Sequence, residues 1–251
     1  MLRVGPGIGS PLLLAVDREL ARRVTAEGVG TAFLVAVVVG SGIAAQRLSP
    51  GQVGLELLIN ATVTGAALVA LILAFGPVSG GHFNPVVTLA DRILGGISTI
   101  DATSYAVAQV SGACLGAIVA NLMFSLPAVT ISGHARSSSG LWLGEFVATF
   151  GLVLVILGVV RSGRASVAAF AVGGYIAAAY WFTSSTSFAN PAVTIGRTLT
   201  DTFSGIAPSS APMFILMQFA GGLAAVGLAR FLNPMLPADA VVVPHDSSGP
   251  E

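Results

Sequence analysis

The chain has 251 residues, of which 54 % are apolar and only 9 % charged, whereas soluble domains are roughly a quarter charged. A soluble globular protein is therefore excluded, and a polytopic membrane protein is the starting class. Net charge is zero and all eleven cations are scattered arginines, which leaves no basic face for nucleic acid.

Residues 1–24, with Leu12 to Val16 as their one apolar run, are too short and too interrupted by Gly and Pro for a signal peptide, and read as a cytoplasmic N-terminal arm. Residues 25–126 contain three stretches, 25–46, 53–75 and 102–126, each able to cross a hydrocarbon core of about 30 Å as a helix. A loop at 127–140, expected outside the cell, leads to residues 141–232 with three more stretches, 141–160, 165–183 and 212–232. The tail 233–251, rich in Pro, Ser and Gly, is expected to be disordered and cytoplasmic. Small residues throughout the spans allow the helices to approach closely. Arg3, Arg18, Arg22, Arg23, Arg92, Arg161, Arg164 and Arg230 fall on the side of the termini, against Arg47, Arg136 and Arg197 on the other. The positive-inside rule then places both termini in the cytoplasm and the chain in the cell (inner) membrane.

Two connections, between spans two and three and between five and six, are about 25 residues long, beyond ordinary helix-to-helix links. The first carries Ser79-Gly80-Gly81-His82-Phe83-Asn84-Pro85-Val86-Val87-Thr88, the second Ser187-Phe188-Ala189-Asn190-Pro191-Ala192-Val193-Thr194. The order of landmarks around them repeats. Glu27 and Thr31 open span one as Glu145 and Thr149 open span four, and Gln109-x-x-Gly112 in span three answers Gln218-x-x-Gly221 in span six. Each half has three spans, so the second enters from the opposite side and the repeat is inverted.

Asn before Pro starts a helix, Asn as N-cap and Pro at the first helical position. The segment from Asn84 to Leu94 gives about 16 Å of helix, half a hydrocarbon core. Two such half-helices meeting N-terminus to N-terminus are tolerated at membrane depth only when buried in protein or lining a watery cavity. The expected fold is all-α: six transmembrane helices plus two re-entrant half-helices around a pore. Each capping Asn turns its oxygen to its own helix and keeps NH₂ donors for the pore, so Asn84 and Asn190 are the candidate pore donors. With two helix N-termini they make an electropositive constriction that suits a neutral solute's oxygen and repels cations.

These loops resemble the paired Asn-Pro-Ala boxes of the aquaporin and aquaglyceroporin (major intrinsic protein) family, a resemblance covering about residues 20–233. It implies one pore per subunit and a homotetramer. It further implies that Glu27 and Glu145 brace the pore loops by accepting backbone N–H bonds. Gly80, Gly81, His82 and Phe83, with Ser185, Thr186, Ser187 and Phe188, match the non-helical stretches that line the path. Two departures stand out. The first box, Asn84-Pro85-Val86, ends in Val where the second, Asn190-Pro191-Ala192, has the usual Ala. Three residues after the second Asn, where the family has a mouth-narrowing arginine, stands Val193; Arg197 lies four residues further on and is left open as a substitute. With Thr64, Ala178 and Ser187 at the other filter positions, the expected mouth is wide and uncharged, resembling some bacterial channels associated with arsenic resistance that conduct neutral metalloid acids.

The expected function is a passive channel for water and small uncharged solutes: glycerol-like, urea-like, or neutral metalloid acids such as arsenous acid. The alternatives are an ion-coupled secondary transporter, which inverted repeats also build, or a non-conducting structural protein of the same fold. No nucleophile, phosphate loop or metal-ligand cluster occurs, and His82, His134 and His245 are far apart, so no enzyme, cofactor or metal is expected. The expected partners are small neutral solutes and the lipid bilayer.

Overall fold

A computed structural model describes residues 11–232, and every regular element among them is helical. In chain order they are α1 (Pro11–Leu48), α2 (Val53–Ser79), α3 (Pro85–Leu94), α4 (Thr99–Met123), α5 (Ser139–Arg161), α6 (Ala168–Phe182), α7 (Pro191–Gly196) and α8 (Ala211–Leu232). Short 3₁₀ turns at Ala165–Val167 and Arg197–Leu199 precede α6 and follow α7. Six helices are long and apolar enough to cross a membrane, and α3 and α7 are the two half-helices.

The boundaries differ from the sequence reading in three places. Residues 11–24 are the opening turns of α1 rather than a separate arm. From Asp17 to Arg23 there is no Gly or Pro to break a helix, and Glu19 and Arg22 pair at 3.6 Å one turn apart. α2 runs through Pro77 to Ser79, where Gly80 at φ +88° caps it by donating to Gly76 O. α7 is only six residues long, ending where Gly196 meets α4: a Cβ there would lie 2.7 Å from Ala113 O. The tail 233–251 lies outside the described residues.

The repeat governs the packing. α1 packs on α4 as α5 packs on α8, and α2 meets α6 between the halves. The glycines of the two Gln-x-x-Gly motifs set the closest approaches. A Cβ on Gly112 would lie 2.1 Å from Gly28 O, and one on Gly221 would lie 2.3 Å from Phe146 O. Gly28 and Phe146 each follow one of the paired glutamates, so the contacts are repeat-equivalent. At one end of the bundle Arg23 pairs with Asp101, Arg92 donates to Thr99, and Arg230 to Ile93 O. At the other, Arg47 donates to Phe124 O, and the 127–140 segment lies along the residues after α7, with Thr130 N–H bonded to Leu199 O and Ser132 N–H to Thr198 O.

Candidate functional site

The half-helices begin as their sequence dictates. Asn84 and Asn190 are extended N-caps, with φ −154° and −158°, each followed by Pro at the first helical position. Asn84 Oδ1 accepts from Val86 N–H at 2.9 Å, and Asn190 Oδ1 from Ala192 and Val193 N–H at 3.0 and 3.3 Å. The amide nitrogens reach across the repeat. Asn84 Nδ2 donates to Ala189 O and Asn190 Nδ2 to Phe83 O, both at 2.7 Å. An amide has two N–H donors, so one of each pair locks the loops together and the other is left for the cavity that both residues line.

Those acceptor carbonyls belong to strained backbone. Phe83 and Ala189 both have φ +49°, and Thr186 and Ser187 have φ +62° and +49°. Each costs an L-residue about 1–2 kcal/mol, so something must hold the loops. The buried glutamates do so. Glu27 accepts from His82 N–H (2.9 Å), Phe83 N–H (2.7 Å), Ser79 Oγ (2.6 Å) and Gln109 Nε2 (2.7 Å). Glu145 accepts from Phe188 N–H (2.9 Å), Ala189 N–H (2.9 Å) and Gln218 Nε2 (2.5 Å). The same glutamines donate at 2.9 Å to Thr88 of α3 and Thr194 of α7. The Gln-x-x-Gly motif thus ties glutamate, loop and half-helix together while its glycine brings the carrying helix close.

The cavity runs from Leu34, Val38 and Ile72 past Gly81, His82, Phe83 and both Asn residues to Thr64, Tyr180, Ser187, Phe188, Val193 and Arg197. Its volume of about 50 Å³ holds a short file of waters rather than a broad column. Of the candidate lining residues, Gly80, Ser185 and Thr186 do not border it. Gly80 caps α2, and Ser185 Oγ accepts from Ser187 N–H. The His82 ring is engaged with α3, Nδ1 lying 3.1 Å from Thr88 Oγ1 and Nε2 3.4 Å from Asp91 Oδ2. Val86, bulkier than Ala192, is received by a glycine: a Cβ on Gly222 would lie 2.1 Å from its Cγ1.

The outer mouth departs from expectation. Ala178 is exposed on the outer face of α6, and Tyr180 takes the place assigned to it, with its hydroxyl 3.3 Å from Thr64 Oγ1. Two residues along a helix is about 200° of rotation, so the two side chains project to opposite sides. Counting back from Asn190 misplaced the residue because the left-handed turns at 186, 187 and 189 set how the loop returns. The signal available was that Tyr180 alone among 177–180 carries a polar group. Arg197 also lines the mouth and is buried. The mouth is therefore neither ring-free nor uncharged, and it is not wide.

The profile of the major intrinsic protein family matches residues 15–183. The chain is 48 % identical over 214 residues to the aquaglyceroporin AqpS of Rhizobium meliloti, covering 85 % of this chain and 91 % of that protein. It is 31 % identical over 241 residues to the probable aquaporin AqpM of Archaeoglobus fulgidus, covering 85 % and 97 %. Among solved structures, the aquaglyceroporin from Plasmodium falciparum superposes with a TM-score of 0.66 over 86 % of this chain and 98 % of that one, at 21 % identity.

Proposed function

We propose a solute and a path for a chain that belongs to the major intrinsic protein family and is a passive, multi-pass membrane channel for water and small solutes, not an enzyme. The solute is a small uncharged molecule with oxygen acceptors: glycerol-like, urea-like, or an undissociated metalloid acid such as arsenous acid. The observation that carries this reading is the pair of amides at the meeting point of the half-helices. Each has its oxygen committed to its own helix and one N–H committed to the opposite loop, which leaves one donor per Asn toward the cavity. Donors without acceptors suit the oxygen of a neutral solute and offer a migrating cation nothing. Two relatives described as aquaglyceroporins agree with the glycerol-sized class. Ion-coupled transport lacks a free midplane carboxylate, since Glu27 and Glu145 are occupied by loop donors.

The chain sits in the cell (inner) membrane with both termini in the cytoplasm, on the strength of its arginine distribution, and works as a homotetramer, as its family resemblance implies. The test of the path is Asn190→Asp in proteoliposomes followed by stopped-flow light scattering. The substitution keeps the cap oxygen but sets a carboxylate oxygen against Phe83 O, where Nδ2 now donates at 2.7 Å. Water, glycerol and urea flux should all collapse while the protein still inserts. Undiminished flux in the inserted variant would remove the path from between the two Asn residues.

A further inference from the structure

The outer mouth holds one side chain that the paired amides leave unexplained. Arg197 follows the last residue of α7, is 2 % exposed, and borders the cavity beside Thr64, Tyr180, Ser187 and Val193. A guanidinium at such depth calls for a full set of acceptors, and this one has an incomplete set. Its Nε donates to Ser204 O and its Cζ lies 3.4 Å from the centroid of the Phe188 ring, while Nη1 is buried with no hydrogen-bond partner. Among the described residues no carboxylate lies within ion-pair distance of it.

What surrounds it is a cradle. Arg136, from the 127–140 segment, has its Cζ 5.2 Å from the same Phe188 ring, and donates from Nε to Gly205 O and from Nη2 to Phe203 O. Three successive carbonyls, of Phe203, Ser204 and Gly205, thus receive the two arginines, and Phe188 is held in turn edge-to-face against Phe214. A guanidinium stacked on an aromatic face and tied at Nε has its plane fixed. Its remaining donors then have a fixed direction without further partners. A purely structural arginine would direct all its donors into the protein. Arg197 keeps one terminal nitrogen unmatched where the cavity narrows. Val193 fits this arrangement: it lies one turn earlier on the same face, borders the same cavity, and its short side chain leaves the mouth open to a guanidinium arriving from position 197.

We propose that Arg197 is the specificity-determining cation of the outer mouth, presented from beyond the end of α7 by the Phe188 ring and the 203–205 carbonyls, donating to the oxygen of the passing solute and excluding cations. The proposal rests on the reading of the cavity as the solute path. A guanidinium only donates, so the solutes it favours carry hydroxyl, carbonyl or acid oxygens and no positive charge. Tyr180 stands opposite as the second bulky wall, its hydroxyl near Thr64.

The test uses the full-length protein in proteoliposomes, with water, glycerol and urea permeability by stopped-flow and cation leak by a sodium-gradient dye assay. Arg197→Met keeps an unbranched side chain but removes charge and donors. It should raise the glycerol-to-water ratio about tenfold, the scale on which one group more or less in a pocket discriminates, and should open a sodium leak absent from the wild type. Arg197→Lys keeps the charge without the planar fork, so it should shift the ratio in the same direction and show no leak. An assembled Arg197→Met channel with both ratio and leak unchanged would make Arg197 a clamp on the 203–205 loop and overturn the proposal. If Arg197→Met does not assemble, Arg197→Lys and Phe188→Leu decide: an unchanged ratio in both overturns it, a raised ratio in either supports it. The outcome is separable from failure of the path itself. A wild-type protein without flux, or an Asn190→Asp variant with full flux, removes the path, whereas a conducting wild type with an indifferent Arg197→Met removes only this assignment.

Discussion

Glutamine in place of Glu145 is the smallest change that tests whether the carboxylate holds the second pore loop. Oε1 accepts Phe188 N–H at 2.9 Å, and Oε2 accepts Ala189 N–H at 2.9 Å and Gln218 Nε2 at 2.5 Å. The glutamine's one oxygen keeps most by sitting at the Oε2 position, and its NH₂ then faces the Phe188 N–H, donor against donor. A buried donor left without an acceptor costs about 1–3 kcal/mol, and losing charge assistance weakens each of the two surviving bonds by about 1 kcal/mol. Relief from burying a charge offsets part of this, leaving a net loss of about 2–3 kcal/mol. For a chain of this size that lowers Tm by roughly 4–12 °C. The loop also carries Thr186, Ser187 and Ala189 at positive φ, and a weaker brace lets that strain relax and draws Asn190 out of position, so water flux should fall alongside Tm. Thermal unfolding in detergent, with stopped-flow on the same preparation, reads both quantities. Glu19→Gln, at a side chain 58 % exposed, serves as the control and should change neither. A Glu145→Gln protein with wild-type Tm and flux would refute the argument that this carboxylate braces the loop.

Gly221→Ala places a Cβ 2.3 Å from Phe146 O and should lower Tm through about 1–3 kcal/mol of overpacking, whereas Gly227→Ala, with nothing within 4 Å of the new Cβ, should leave Tm unchanged or raise it by about 0.5–1 kcal/mol; equal effects in a thermal-shift assay would contradict the close approach of α5 and α8. Val193→Arg brings a second guanidinium into a mouth that Arg197 already borders, and glycerol and urea flux should fall at least about tenfold with water flux reduced less, measured on tetramer-checked proteoliposomes. Reporter cysteines in the Gly163 turn should be labelled only from the cytoplasmic side and those beside Arg136 only from outside; labelling of both from one side would overturn the arginine-based orientation.

The sequence alone determined the membrane class, the six spans, the inverted repeat and the two half-helix starts. Those properties are local or periodic: twenty apolar residues span a bilayer wherever they occur, and Asn-Pro caps a helix whatever surrounds it. It also singled out Glu27, Glu145, Gln109 and Gln218 through their repeated order. Only the tertiary structure decided what the mouth contains. Whether Ala178 or Tyr180 faces the pore depends on how a loop with three positive-φ residues returns to Asn190, and strained backbone of that kind is held by a distant glutamate rather than by its own sequence. Likewise Arg197 could be placed only once Phe188, the 203–205 carbonyls and the segment bearing Arg136 had come together. Those groups are up to 69 residues apart in the chain. A guanidinium on a long flexible stem takes its direction from the partners that the fold brings to it, and spacing along a half-helix carries no record of them.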